Sequence, residues 1–238
     1  MDELAVYDAR LTLVDFPIEA FQDVPDEAFV ERLLGGELAF PDDPVNDRLD
    51  TGFEYLREFV AENEGRDPAT VAEELATEYS RLFTAPRPPV LPHETHYRED
   101  TEFIGQGLAD VEASYSAAGW KPSEEFPEEN DFVAVELAFI RQLIDRQRAG
   151  QEETFGFERV FLDEHLLVWY EDLLEALVAE TDDPFYLAAA HVFAGFVEFE
   201  DELVAQMVAD RQRPGRRRGR PRRPRHPPAR GRYRRSGG

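Results

Sequence analysis

Apolar residues recur along this chain every three or four positions, and no stretch alternates cleanly with period two, so the pattern is helical throughout. The stretch Glu128 to Ile144 carries it most strongly. At about 100° per residue, Phe132, Val133, Val135, Leu137, Phe139, Ile140, Leu143 and Ile144 share one broad face, with Ala138, Arg141 and Asp145 opposite. Asn130 or Asp131 supplies a capping oxygen for the first turn. Glu136 falls in the middle of the apolar face. An ionised carboxylate there costs several kcal/mol unless paired or protonated, so an Arg, His or Tyr of a neighbouring helix is expected to meet it.

The other segments punctuate like helices too. A short first helix runs toward Leu11, Leu13, Val14 and Phe16 and is expected to stop at Pro17. Pro25-Asp26-Glu27 opens a second, closed by Gly35-Gly36. Leu49, Phe53, Leu56, Phe59 and Val60 mark a third, and Asp67-Pro68 starts a fourth through Val71, Leu75, Tyr79, Leu82 and Phe83. Four prolines between Pro86 and Pro92 forbid a helix across the next stretch, which predicts a stiff loop from Pro86 to Asp100. Phe103, Ile104, Leu108, Val111 and Tyr115 give a helix ending at Gly119-Trp120. Beyond the central helix, the run from Phe157 to Leu177 is apolar all round and belongs at the core. Asp183-Pro184 begins a last, phenylalanine-rich helix through Met207. The fold class expected is all-α: one domain of eight or nine helices over residues 1–210.

Residues 211–238 break the pattern. They are arginine, proline and glycine, with almost nothing to bury, and a disordered basic tail is expected. They also hide the charge of the rest. The chain sums to −25, but 13 of its 26 basic residues are tail arginines, so residues 1–210 carry 51 acids against 13 bases, a net of −38. Lys121 is the single lysine. An acid-crowded surface with so little lysine is of halophilic type, its self-repulsion screened by salt. The tail is suited to lie over this acidic body, and a nucleic-acid arm is the alternative.

Composition removes several chemistries. There is no cysteine, hence no disulfide and no thiolate nucleophile or ligand. No apolar run approaches the roughly 18 residues of a membrane span, and the acidic N-terminus is unlike a signal peptide, so a cytoplasmic location is expected. Walker, dinucleotide and nucleophile-elbow motifs are missing. The remaining chemical cluster is His93-Glu94-Thr95-His96, which with Asp100 or Glu102 could ligate a divalent metal in a helical metal-dependent enzyme. His165 and His191 sit in apolar helices, where a carboxylate or carbonyl partner is the default, and His165 is the expected partner of Glu136.

Five segments taken in order resemble one family, the TorD/DmsD/NarJ group of chaperones that mature molybdenum oxidoreductases. They are Glu78-Tyr79-Ser80-Arg81-Leu82-Phe83; Pro92 to Tyr97; Tyr115 with Gly119; Asp131 to Phe139; and Phe161-Leu162 with His165-Leu166 and Trp169, followed by Phe185-Tyr186. The likeness spans about residues 26 to 208. Where the family usually has Asp-His at the start of its central helix, this chain has Asp131-Phe132. The resemblance implies an all-helical binding protein with no catalytic residues, no metal and no cofactor of its own. It would hold the twin-arginine leader, or another segment, of the catalytic subunit of a dimethyl sulfoxide or nitrate reductase type enzyme, as a monomer or a helix-swapped dimer. Such a leader needs carboxylates beside an apolar surface. Asp131, Phe132, Glu94, Pro92, Tyr97 and Tyr115 are the candidate peptide-binding residues, with Glu136, His165 and Trp169 as structural support. Neither a membrane nor a nucleic acid is an expected partner.

Overall fold

The computed structural model describes residues 3–38, 41, 43–98, 104–123 and 128–212. Asp100, Glu102, Phe103 and residues 213–238 of the basic tail lie outside them. The elements are α1 (Glu3–Gln22), α2 (Glu27–Leu34), α3 (Asp47–Glu62), α4 (Pro68–Tyr79), α5 (Glu94–Tyr97), α6 (Ile104–Ala117), α7 (Val133–Arg148), α8 (Thr154–Phe161), α9 (Leu167–Glu180) and α10 (Pro184–Gln212). A π-turn, Ser80–Thr84, continues α4, and another, Leu162–Leu166, joins α8 to α9. Counting α8 to α9 as one rod leaves nine helices among the described residues, as the periodicity predicts.

Helix starts follow the capping chemistry of the sequence. Asp26 accepts from the Phe29 amide at 2.7 Å, Asn46 from Leu49 at 2.8 Å and Asp183 from Phe185 at 2.9 Å. Pro17, however, does not end α1, which runs on to Gln22. Its ring forfeits one backbone bond, but Leu13, Val14, Phe16, Ala20 and Phe21 on both sides of it are buried, and their burial outweighs that loss.

Two helix pairs frame the interior, α1 against α7 and α3 against α10. The second crossing is close because glycine faces backbone on both sides. A Cβ on Gly195 would lie 2.6 Å from the Leu49 nitrogen, and one on Gly52 3.0 Å from the Val192 nitrogen. Phenylalanines fill the centre, with Phe185 edge-on to Phe16 and Phe29. Buried tyrosines find backbone partners: Tyr79 donates to the Phe21 carbonyl at 2.9 Å, and Tyr186 to that of Leu75 at 3.0 Å. Arg81, gripping Glu78, also donates to the Glu180 carbonyl at 2.6 Å, while Thr181 donates to Glu78, so the end of α4 is pinned to the end of α9.

One polar cluster in this core has no forewarning in the sequence. Arg10 of α1 is fully buried. It donates to Glu200 of α10 at 2.6 Å, to Glu158 of α8 at 2.8 Å and to Gln147 of α7 at 2.6 Å, with Tyr7 and Phe155 rings flanking its guanidinium. Gln147 closes the ring by donating to Glu158 at 2.6 Å. Burial, assisted by nearby Glu200 and opposed by Arg10, pushes Glu158 up to about 8. A single arginine thus joins four helices.

Candidate functional site

The site grows from the meeting of the proline-rich segment with the start of α7. Past Pro92 the chain is not wholly loop, because Glu94–Tyr97 forms one helical turn, α5. Such a short turn has unpaired amides of its own. Asp131 supplies them: its carbonyl accepts from the Glu94 amide at 3.0 Å, and its Oδ2 accepts from the Thr95 amide at 3.2 Å and the Thr95 hydroxyl at 2.6 Å. Its Oδ1 meets His93 Nδ1 at 3.1 Å. In return the Pro92 carbonyl accepts from the Val133 amide, at the N-terminus of α7, at 2.9 Å, and His93 and Phe132 form an isolated antiparallel bridge.

Asp131 therefore does cap a helix, but α5 rather than α7, whose cap position is Phe132. The expectation of an exposed carboxylate at the entrance to α7 is corrected accordingly: Asp131 is 1% exposed. Burial alone would raise its pKa, but the bonds from His93 and Thr95 together outweigh that and hold it below the usual value. Phe132 and Tyr115 are buried as well, Tyr115 donating to the Asn130 carbonyl at 2.8 Å.

Glu94 leads inward from this latch. A candidate peptide-binding carboxylate by sequence, it is fully buried, accepting from Arg98 at 2.5 Å and from His165 Nδ1 at 3.0 Å. His165 lies in the π-turn between α8 and α9, a wider turn often found where a helix carries function. Its other ring nitrogen, Nε2, is hydrogen-bonded with the Ser114 hydroxyl at 2.9 Å. The partner expected for Glu136 thus belongs to Glu94. Glu136 takes a long bond from Trp169 Nε1 at 3.4 Å, and its Oε1 has no conventional donor among the described residues. Burial first, then the charge of Glu94 beside it, raise Glu136 well above the ordinary carboxylate value. Trp169 in turn stacks on Tyr97, with centroids 5.6 Å apart.

Ser114, His165 and Glu94 have the connectivity of a nucleophile triad, but Ser114 sits well inside α6, where helical bonding occupies the amides an oxyanion would need. Nor does the His93–His96 segment gather ligands. Among the described residues no group of three or more His, Asp or Glu is placed to hold a metal ion. His93 is engaged by Asp131, whereas His96 packs on Tyr97. The other expected core histidine, His191, lies against Tyr55, and its buried Nδ1 has no partner among the described residues, so no carboxylate or carbonyl meets it there.

Outward from Ser114 and His165 a groove of about 720 Å³ opens between α6 and the α8–α9 rod, with Arg98 at one edge. Sequence reasoning picked out His165 but missed Ser114 and Arg98. Spacing along α6 marks Ser114 only as a polar residue off the apolar stripe.

Among the described residues the fold is all-helical, and most of its buried polar side chains join one helix to another. A family model described as nitrate reductase delta subunit matches residues 46–175, and the chain belongs to that family, whose members are chaperones in molybdoenzyme maturation. No curated protein and no solved structure matched the chain. The matched span holds the whole latch and the groove, and it leaves out Arg10 and α10. Among the described residues no helix is long and apolar enough to cross a membrane.

Proposed function

We propose that the protein is a cytoplasmic chaperone that binds the twin-arginine leader, or another segment, of a molybdenum oxidoreductase catalytic subunit and keeps that subunit competent for cofactor insertion before export. The family match over residues 46–175 carries this reading. Supporting it, the latch is a rigid, internally satisfied platform: Pro92, Glu94, Asp131, Phe132 and Tyr115 set its shape, while Tyr97 presents a partly exposed ring. Glu136, His165 and Trp169 support it from below.

The test is co-expression with the catalytic subunit of a nitrate or dimethyl sulfoxide reductase from the same genome. Copurification of the pair, and loss of molybdenum from the reductase when the chaperone gene is deleted, are the expected results. A reductase that is fully loaded in the deletion strain, together with no copurification, would overturn the reading.

A further inference from the structure

The groove beside Ser114 and His165 has a composition that nothing in the latch requires. Its floor is apolar, formed by Ala113, Ala117, Phe157, Val160 and Val168. Val160 and Val168 are 48% and 45% exposed, an unusual degree for large aliphatic side chains packed so near a core. Its rim is acidic. Asp163 is engaged by Arg159, and the basic group at the edge, Arg98, has its charge met by buried Glu94. Asp110 and Glu164 also line the groove and are in no ion pair among the described residues.

From this pairing of open apolar floor and uncommitted carboxylates, we infer that the groove between α6 and the α8–α9 rod is the seat of a client segment carrying arginines next to an apolar run. Asp110 and Glu164 accept from the guanidinium groups, and Val160, Val168 and Phe157 cover the apolar side chains. The Ser114 hydroxyl, fixed by His165 and through it by Glu94, stands on the groove wall as a polar contact for the peptide backbone. The inference rests on the chaperone reading and adds to it the place and the chemistry of contact.

The probe is a fluorescent synthetic peptide of two adjacent arginines followed by a leucine and alanine run, titrated into the full chain at low and at high potassium chloride. Val160→Ser with Val168→Ser is expected to weaken binding about tenfold or more at both salt concentrations, since it removes apolar contact. Asp110→Asn with Glu164→Gln is expected to weaken it chiefly at low salt, because exposed charge pairs are screened. Val178→Ser, on an exposed part of α9 away from the groove, should bind like wild type. All the changed side chains are solvent-exposed or on the groove surface, and thermal melts confirm that each variant is folded.

If the peptide binds wild type and both groove variants alike, the groove is not the seat, and the chaperone reading stands. If the catalytic subunit copurifies but the peptide does not bind, the ligand chemistry assigned to the groove is wrong. If neither binds, both readings fall.

Discussion

Glu94 and Glu136 are both fully buried, and the charge of Glu94 adds to burial in raising the Glu136 carboxyl well above its ordinary value. The arrangement answers the question raised by a glutamate on an apolar helix face: the groups it meets are the Trp169 indole and a second carboxylate, and its neutral form is favoured.

Glu136→Gln should therefore be mild, changing stability by less than about 1 kcal/mol, because an amide mimics the neutral form that burial and Glu94 favour. Glu136→Ala should cost about 2–4 kcal/mol through its cavity and the orphaned groups around it. The sign with pH follows from a folded-state pKa raised above the unfolded value of about 4.5. Stabilisation from this proton is complete below that value and is lost as pH rises through the folded-state pKa. Denaturant melts across that range should show wild type losing stability relative to Glu136→Gln as pH rises; parallel curves would mean that Glu136 is ionised in the fold.

Asp131→Asn should destabilise by about 1.5–3 kcal/mol, since it weakens charge-assisted bonds from His93 and Thr95 that the expectation of an exposed carboxylate had not included. With its folded pKa depressed, the Asp131 contribution is present above the unfolded value of about 3.8 and disappears as pH falls through the folded one. Hydrogen exchange at the Thr95 amide reads the loss locally, with the Glu94 amide, held by the Asp131 carbonyl, as the reference.

Arg10→Met should be the most damaging single change outside the family-matched span. It strands Glu200 and Glu158 in the interior at a cost of about 3–5 kcal/mol. Glu158→Gln should be far milder, because burial and Glu200 already push the Glu158 carboxyl up to about 8, so its charged form is little favoured near neutral pH. A thermal melt of the two variants side by side decides this.

Gly195→Ala should cost about 1–3 kcal/mol by forcing α10 away from Leu49, despite the better helix propensity of alanine. Gly105→Ala, where a Cβ would meet nothing within 4 Å, is the matched control and should be neutral or stabilising.

Raising potassium chloride from low to molar concentration should raise the melting temperature, because the net of −38 on residues 1–210 repels itself until counterions screen it. A midpoint independent of salt would remove the halophilic reading.

The sequence by itself determined where most helices lie and which faces are buried, the run of α1 past Pro17 and the short α5 excepted, because the spacing of apolar residues and the Asp-Pro, Asn and Gly-Gly punctuation act within a turn or two of chain. It also placed Glu136 on a buried face. Only the tertiary structure decided the pairings. Asp131 caps α5 instead of its own helix, His165 turns to Glu94, and Arg10 finds Glu158 and Glu200, partners 148 and 190 residues away. Those choices depend on how rods with similar apolar stripes cross and on which polar side chain reaches which donor inside a low-dielectric interior. Local periodicity carries no record of either, so a polar group on an apolar face, such as Glu136, can be recognised from sequence while its partner cannot.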